Sequence, residues 1–227
     1  GNVKLGTSNG LEWVFSSGGI LREGAVWSLD PDEVIKLRSQ LTVYGTLLTT
    51  TATADHPAVF TSLDDPDYGY AIGDGSPLRG DWHGIYIRSG GTASLDHAVI
   101  RYGGYDANTS YAYSLVRVDE GGMLTLTNSL LEHSEKYGVY ANNVEDISIL
   151  NNTISNCLSS GIYFFDNDTD TIPLSPEIRG NTINNSLYPI VLSGYDGYTG
   201  EYRITDNGGT GNTYNYISME NELVGSV

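Results

Sequence analysis

Gly138-Val139-Tyr140-Ala141 is followed a short interval later by Gly161-Ile162-Tyr163-Phe164. The same alternating signature stands at Gly84-Ile85-Tyr86-Ile87, Leu115-Val116-Arg117-Val118, Pro189-Ile190-Val191-Leu192 and Tyr216-Ile217-Ser218-Met219. From Ile85 to Val116, Val139, Ile162, Ile190 and Ile217 the steps are 31, 23, 23, 28 and 27 residues. The recurring step of 23 is the bare period, and the longer steps carry insertions. A second set runs in phase, in which stretches such as Leu124-Thr125-Leu126 and Ile147-Ser148-Ile149 precede Asn-x-apolar triplets. The triplets are Asn128-Ser129-Leu130, Asn152-Thr153-Ile154, Asn181-Thr182-Ile183 and Asn212-Thr213-Tyr214. Asn tolerates left-handed backbone at a turn, and stacked carboxamides can hydrogen-bond from one coil to the next. The triplets therefore predict an asparagine ladder through 128, 152, 181 and 212, with His97 aligned to Asn128. Cys157 aligns with His133 and Ser186 at a further turn.

A coil of this length has room for several short strands and no helix. The predicted fold is all-β, a right-handed single-stranded parallel β-helix, in which equivalent strands stack about 4.8 Å apart and alternate residues form apolar rows inside the tube. One row is Ile85, Val116, Val139, Ile162, Ile190 and Ile217; its neighbour is Ile87, Val118, Ala141, Phe164, Leu192 and Met219. Residues 1–40 are expected to supply an N-terminal cap and the first strands, with Asp30 or Asp32 capping a helical turn at Asp30-Pro31-Asp32. Trp82 is expected to pack its loop against that cap. Residues 41–227 are the coils. A solenoid needs its terminal edges protected, and the stretch from Glu220 onward is too short for that, so the chain reads as one segment of a larger protein.

The stretches Asn151-Asn-Thr-Ile-Ser-Asn156 and Gly180-Asn-Thr-Ile-Asn-Asn185 resemble the parallel β-helix repeats of the pectate-lyase-like superfamily. Leu41-Thr-Val-Tyr-Gly-Thr-Leu47, Pro57-Ala-Val-Phe-Thr-Ser62, Gly80-Asp-Trp-His-Gly-Ile85 and Leu95-Asp-His-Ala-Val-Ile-Arg-Tyr-Gly-Gly104 look like the coils of large bacterial and archaeal surface β-helix proteins. The resemblance runs from about residue 20 to 220 and implies the fold. Of function it implies only a range, because that superfamily holds lyases, hydrolases, epimerases, adhesins and inert stalks. It also implies that a polysaccharide would lie in a groove along the first strand column.

Composition narrows the partners. The 28 acidic and 11 basic side chains leave a net charge of −17, the wrong sign for neutralising phosphates, so nucleic acid is excluded as a partner, as is docking on anionic lipid. No apolar run is long enough to enter a membrane. The one cysteine, Cys157, has no partner for an internal disulfide. An acidic β-helix of this kind is expected to be secreted or displayed at the cell surface.

The insertions at 61–81, 103–114, 165–177 and 193–200 flank the first strand column and are expected to wall a groove along it. On that face the outward residues are Tyr86, Arg117, Tyr140 and Tyr163, then Val191 and Ser218, with Arg88, Asp119, Asn142 and Phe165 beside them. Aromatic faces stack on the C–H surface of pyranose rings while Arg and Asn bind hydroxyls or carboxylates. Tyr86, Arg88, Arg117, Asp119, Tyr140, Asn142 and Tyr163 are accordingly the candidate ligand-binding residues, with a polysaccharide or cell-surface glycan as partner. Asp166, Asp168 and Asp170 place carboxylates at alternate positions, and Asp196 in the next loop can join them; hard calcium ions favour such a set. Asp64, Asp65, Asp67 and Asp74 form a similar group. A polysaccharide lyase or glycoside hydrolase in the same groove is the alternative, but no carboxylate pair sits on a first-column strand. A passive structural segment of a surface protein is the second alternative.

Overall fold

The computed structural model describes residues 12–105, 114–144, 146–166, 175–194 and 202–220. Over these residues the regular backbone is strand only, and the strands pair in parallel in three sheets of seven, eight and seven strands. The chain visits the sheets in a fixed cycle. We call sheet B the one holding Gly84–Ile87, sheet C the one holding Thr92–Asp96 that follows it, and sheet A the one holding Ala98–Arg101 that closes the coil before Ser114–Asp119 returns to sheet B. The protein is a right-handed parallel β-helix.

Register follows the period-two pattern. Val116 pairs with Ile85 and Val139, Val139 with Ile162, Ile162 with Ile190, and Ile190 with Ile217. The neighbouring row from Ile87 through Val118, Ala141, Phe164 and Leu192 to Met219 is in register as well. From Ile85 to Ile190 the first row is fully buried, and at the last described coil, which pairs on one side only among the described residues, Ile217 rises to 41 % exposure. Sheets C and A contribute matching rows, such as Leu95, Leu126, Ile149 and Ile178, so one continuous core fills the tube. The glycines that open several sheet B strands have a packing reason: a Cβ on Gly138 would stand 2.6 Å from the Gly161 carbonyl oxygen.

Columns of left-handed residues turn the coil, glycines such as Gly24, Gly90 and Gly121 between sheets B and C and two further columns at the ends of sheet A. Between sheets C and A stand His97, Asn128, Asn151 and Asp206, with φ of 48, 49, 57 and 57°, and Gly180 at 69°. Between sheets A and B stand Tyr102, His133, Asn156 and Asn185, with φ of 62, 58, 56 and 51°, and Gly211 at 74°. Asn, Asp and Gly dominate because these residues enter left-handed backbone at the least cost.

Several expectations need correction. The ladder runs through the buried Ser129, Asn152 and Asn181 to the half-buried Asn207, not through 128, 152, 181 and 212. The Asn152 and Asn181 side-chain oxygens accept the backbone N–H of Ser129 and Asn152, both at 2.9 Å, and that of Asn207 accepts from Asn181 at 3.0 Å. Each Nδ2 in turn donates to a carbonyl of an adjoining coil, for instance Asn181 to Ile149 at 2.8 Å. Asn128 lies one position earlier, at the left-handed turn. The cause is the doubled apolar residue in Leu130-Leu131: Leu131 is the one that turns inward, in register with Ile154. Asn212 serves the next corner, accepting from Ser186 N–H at 3.0 Å. Cys157 is likewise one step out, in register with Ser134 rather than His133, because Glu132 pairs with Ser155.

Of residues 1–40, expected to supply a cap and the first strands, the described part supplies strands: Trp13–Phe15, Gly19–Leu21 and Val26–Ser28 pair with the next strands of sheets A, B and C, and residues 1–11 lie outside the described residues. Asp30-Pro31-Asp32 caps no helix. It is a turn with Asp32 left-handed, and Glu33 accepts the Asp30 N–H at 2.8 Å. Trp82 is fully buried in the tube's core, its Nε1 donating to the Arg101 carbonyl at 2.8 Å, instead of lying against a cap.

Candidate functional site

On the outer face of sheet B the pairing sets Tyr86, Arg117, Tyr140, Tyr163, Val191 and Ser218 side by side in one row. Asp119, Asn142, Phe165, Ser193 and Glu220 form the row beside it, with Arg88 just past its strand at the same level as Asp119. All seven candidate binding residues therefore come together on one face.

Their side chains engage one another. Arg117 lies over the rings of Tyr86 and Tyr140, at 5.3 and 5.6 Å from their centroids, and Arg88 lies 5.4 Å from that of Tyr86. Asp119 bridges the two guanidiniums, with Arg88 Nη1 at 2.5 Å and Arg117 Nε at 2.6 Å. Charge-assisted contacts this short, partly shielded from water, are stronger than exposed ones. Tyr140 and Tyr163 stack with centroids 5.6 Å apart and planes 7° from parallel. Coil spacing brings neighbouring rings this close, so the stack extends the strand pairing into the side chains.

The face is less open than the sequence implies. Tyr86 is 3 % and Tyr140 6 % exposed; Arg88, Arg117, Asn142 and Tyr163 are half-buried and form the accessible part. Burial pushes the Tyr140 hydroxyl up to about 12, with Tyr163 and Asp119 adding to the rise and Arg117 opposing it. Tyr137, which the alternation assigns to the inner face with Val139, instead joins the outer cluster, 4.8 Å from Tyr163 and 5.6 Å from Tyr140. The only signal for it in the sequence is the Gly138 that follows, where a Cβ would crowd the neighbouring strand.

The insertion after Ala58–Ser62 does not wall this face. Its residues fold over sheet A, drawn by cations on that sheet's outer row, where Lys36, Thr61, Arg101 and Glu132 are in register. Lys36 is wholly buried and donates to the Asp65 carbonyl. Asp65 accepts from Thr61 Oγ1 at 2.6 Å and from Arg101 Nη2 at 3.0 Å, and Asp67 and Glu132 also hold Arg101. The guanidinium sits between the rings of Tyr68 and Tyr102, 5.2 and 4.6 Å from their centroids. Burial lowers the Lys36 ammonium while Glu12 and Asp65 pull it back up. This buried charge network went unrecognised in the sequence, where Asp64, Asp65, Asp67 and Asp74 read as a calcium set; Asp64 instead accepts the Asp74 N–H at 2.8 Å.

Of the other calcium candidates, Asp166 receives the Tyr202 hydroxyl at 3.4 Å, and Asp168, Asp170 and Asp196 lie outside the described residues. Most of the insertions at 103–114, 165–177 and 193–200 lie outside them too. Among the described residues no three His, Cys, Asp or Glu side chains are grouped as metal ligands, and no helix is long and apolar enough to cross a membrane.

A family model described as "Right handed beta helix region" matches residues 82–208, more than half of the chain. No curated protein and no solved structure matches it.

Proposed function

Because the chain belongs to the right-handed β-helix family, whose fold carries ligands on faces built from stacked coils, we propose that it is a carbohydrate-binding segment of a secreted or surface-displayed protein. The ligand is an extended glycan lying across the coils of sheet B. The observation that carries this reading is the row in which the rings of Tyr86, Tyr140 and Tyr163 and the guanidinium of Arg117 line up at coil spacing, flanked by Arg88 and Asn142. Tyr86 and Tyr140 form the buried support. Tyr163, Arg88, Arg117 and Asn142 supply the accessible stacking surface and donors. Stacking on an aromatic face and bidentate donation from Arg suit a chain of sugar rings.

Cleavage is less well supported. Glycoside hydrolysis needs two carboxyl groups within about 5–9.5 Å. The two carboxylates of the second outer row, Asp119 and Glu220, are four strands apart, about 19 Å at the usual strand spacing. Asp119 is moreover held between two arginines. A purely structural role has one observation in its favour, namely that the rings and the Arg88–Asp119–Arg117 bridge satisfy one another without a ligand.

Glycan-array screening followed by calorimetry with the best acidic and neutral polysaccharides tests the proposal. Binding is expected, and Tyr163→Ala is expected to weaken it about tenfold, the equivalent of about 1.4 kcal/mol. Absence of binding across the array leaves the structural role. New reducing ends, or the absorbance of unsaturated uronate, would turn the reading to a hydrolase or lyase.

A further inference from the structure

Among the described residues both ends of sheet B are open. Its first strand, Gly19–Leu21, and its last, Ile217–Glu220, each pair on one side only. Such an edge presents a line of backbone N–H and C=O groups able to pair with another strand. Beside the first edge lies a cavity of about 350 Å³, whose lining includes Phe15, Gly19, Leu21, Arg22, Trp27 and Leu41. Gly19 holds the first inner row here, pairing with Leu41 and through it with Ile85, and brings no side chain to it. At the other end the same row finishes with Ile217, which stands exposed, as does Met219 in the neighbouring row. One end thus has apolar space where the other has apolar side chains to bury.

The register fixes what a join of the two ends would bring together. A second copy continuing the rows of sheet B sets Ile217 against Gly19, Ser218 against Ile20, Met219 against Leu21 and Glu220 against Arg22. The last of these pairs is of opposite charge, which favours neighbouring strands, whereas like charges oppose them. Arg22 and Glu220 are both exposed, and the Tyr163 hydroxyl reaches Glu220 at 3.5 Å. Slipping the join by one residue would turn Ile217 and Met219 outward. Joining two like ends would run the strands antiparallel and set cavity against cavity. The first described strand lies in sheet A and the last in sheet B, so sheets A and B run on edge to edge while sheet C is one strand short. The net charge of −17 repels copies at long range, but at physiological salt that repulsion is screened beyond about 8 Å and the charges in contact decide.

We propose that the two ends of the tube are complementary and that the chain assembles head to tail with further copies of itself. Ile217 and Met219 of one copy close the first coil of the next, and Glu220 faces Arg22. A contact between unlike ends leaves an end free at each step, so the assembly grows as an open chain rather than stopping at a pair. It does not depend on the glycan reading of the outer face of sheet B.

Sedimentation velocity of the whole chain at about 0.15 M salt, from micromolar to millimolar concentration, tests this. The mass is expected to rise with concentration through dimers to longer species. Ile217→Asp, which puts a carboxylate into the inner row, is expected to abolish association. Arg22→Glu and Glu220→Arg each oppose like charges at the join, and each is expected to weaken association about three- to tenfold. An equimolar mixture of those two variants is expected to recover it, because every copy then meets the opposite charge at both ends. The proposal is refuted if the chain stays monomeric throughout, if assembly stops at a dimer, if association survives Ile217→Asp, or if the mixture associates no better than its components. Should Ile217→Asp fail to fold, the mixture decides.

Discussion

Tyr140 illustrates how far one residue can depart from its pattern. Alternation places it outward, where an exposed ring is expected, yet the stack with Tyr137 and Tyr163 and the Arg117 guanidinium leave it 6 % exposed. A buried phenol resists ionisation, so its folded pKa rises above that of the unfolded chain. The sign is that of a stabilisation fully present below about pH 10, where an unfolded tyrosine begins to ionise, and lost as pH climbs toward about 12. Burial raises Tyr137 in the same sense and pushes the Cys157 thiol up to about 12. Denaturant midpoints measured from pH 9 to 12 are expected to fall steeply. Tyr140→Phe, which has no proton to lose, is expected to recover on the order of 2 kcal/mol of that fall. Equal losses in both proteins would mean that Tyr140 ionises as freely in the folded state as in the unfolded one.

The turns are the elements where chemistry and geometry meet most tightly. Asn151 and Asn152 are adjacent and do opposite jobs. Asn151 is exposed and left-handed, one coil before Gly180 in the same column, whereas Asn152 is buried and holds the ladder between Ser129 and Asn181. Asn152→Ala strips the Ser129 N–H of its acceptor and is expected to cost about 1–3 kcal/mol. Asn151→Gly is expected to change stability by less than about 1 kcal/mol, since Gly enters left-handed backbone freely, while Asn151→Val is expected to cost about 1–2 kcal/mol. Thermal and urea unfolding of the three variants checks the ordering; an Asn152→Ala protein as stable as the parent would mean that the ladder carries no net stability. A motif search finds Asn-x-apolar but cannot tell these two jobs apart where two asparagines, or two leucines, stand together.

At the scale of the molecule, stability accumulates by neighbours. Among the described residues each strand of sheet B from Gln40–Val43 to Tyr188–Gly194 pairs on both sides, whereas Gly19–Leu21 and Ile217–Glu220 pair on one, and the apolar residues Ile20, Ile217 and Met219 are 60, 41 and 42 % exposed. In a solenoid the energy of a coil is its own plus two interfaces, so a terminal coil is the first to open. Hydrogen exchange is expected to be slowest for Ser114–Asp119, Tyr137–Asn142 and Ser160–Asp166 and fastest, among the described strands of sheet B, for the two end strands Gly19–Leu21 and Ile217–Glu220. Uniform protection along the sheet would indicate that the chain opens as one unit.

The 23-residue step and the alternation within it determined the winding, the two inner rows of sheet B and the outward row from Tyr86 to Ser218, because each depends on local periodicity that every coil repeats. Tertiary structure alone decided which way the insertion after Ser62 would fold. Its acids had no visible reason to prefer sheet A until stacking placed Lys36 and Arg101 on one outer row, since attraction between charges far apart in sequence depends on the register that first brings them near.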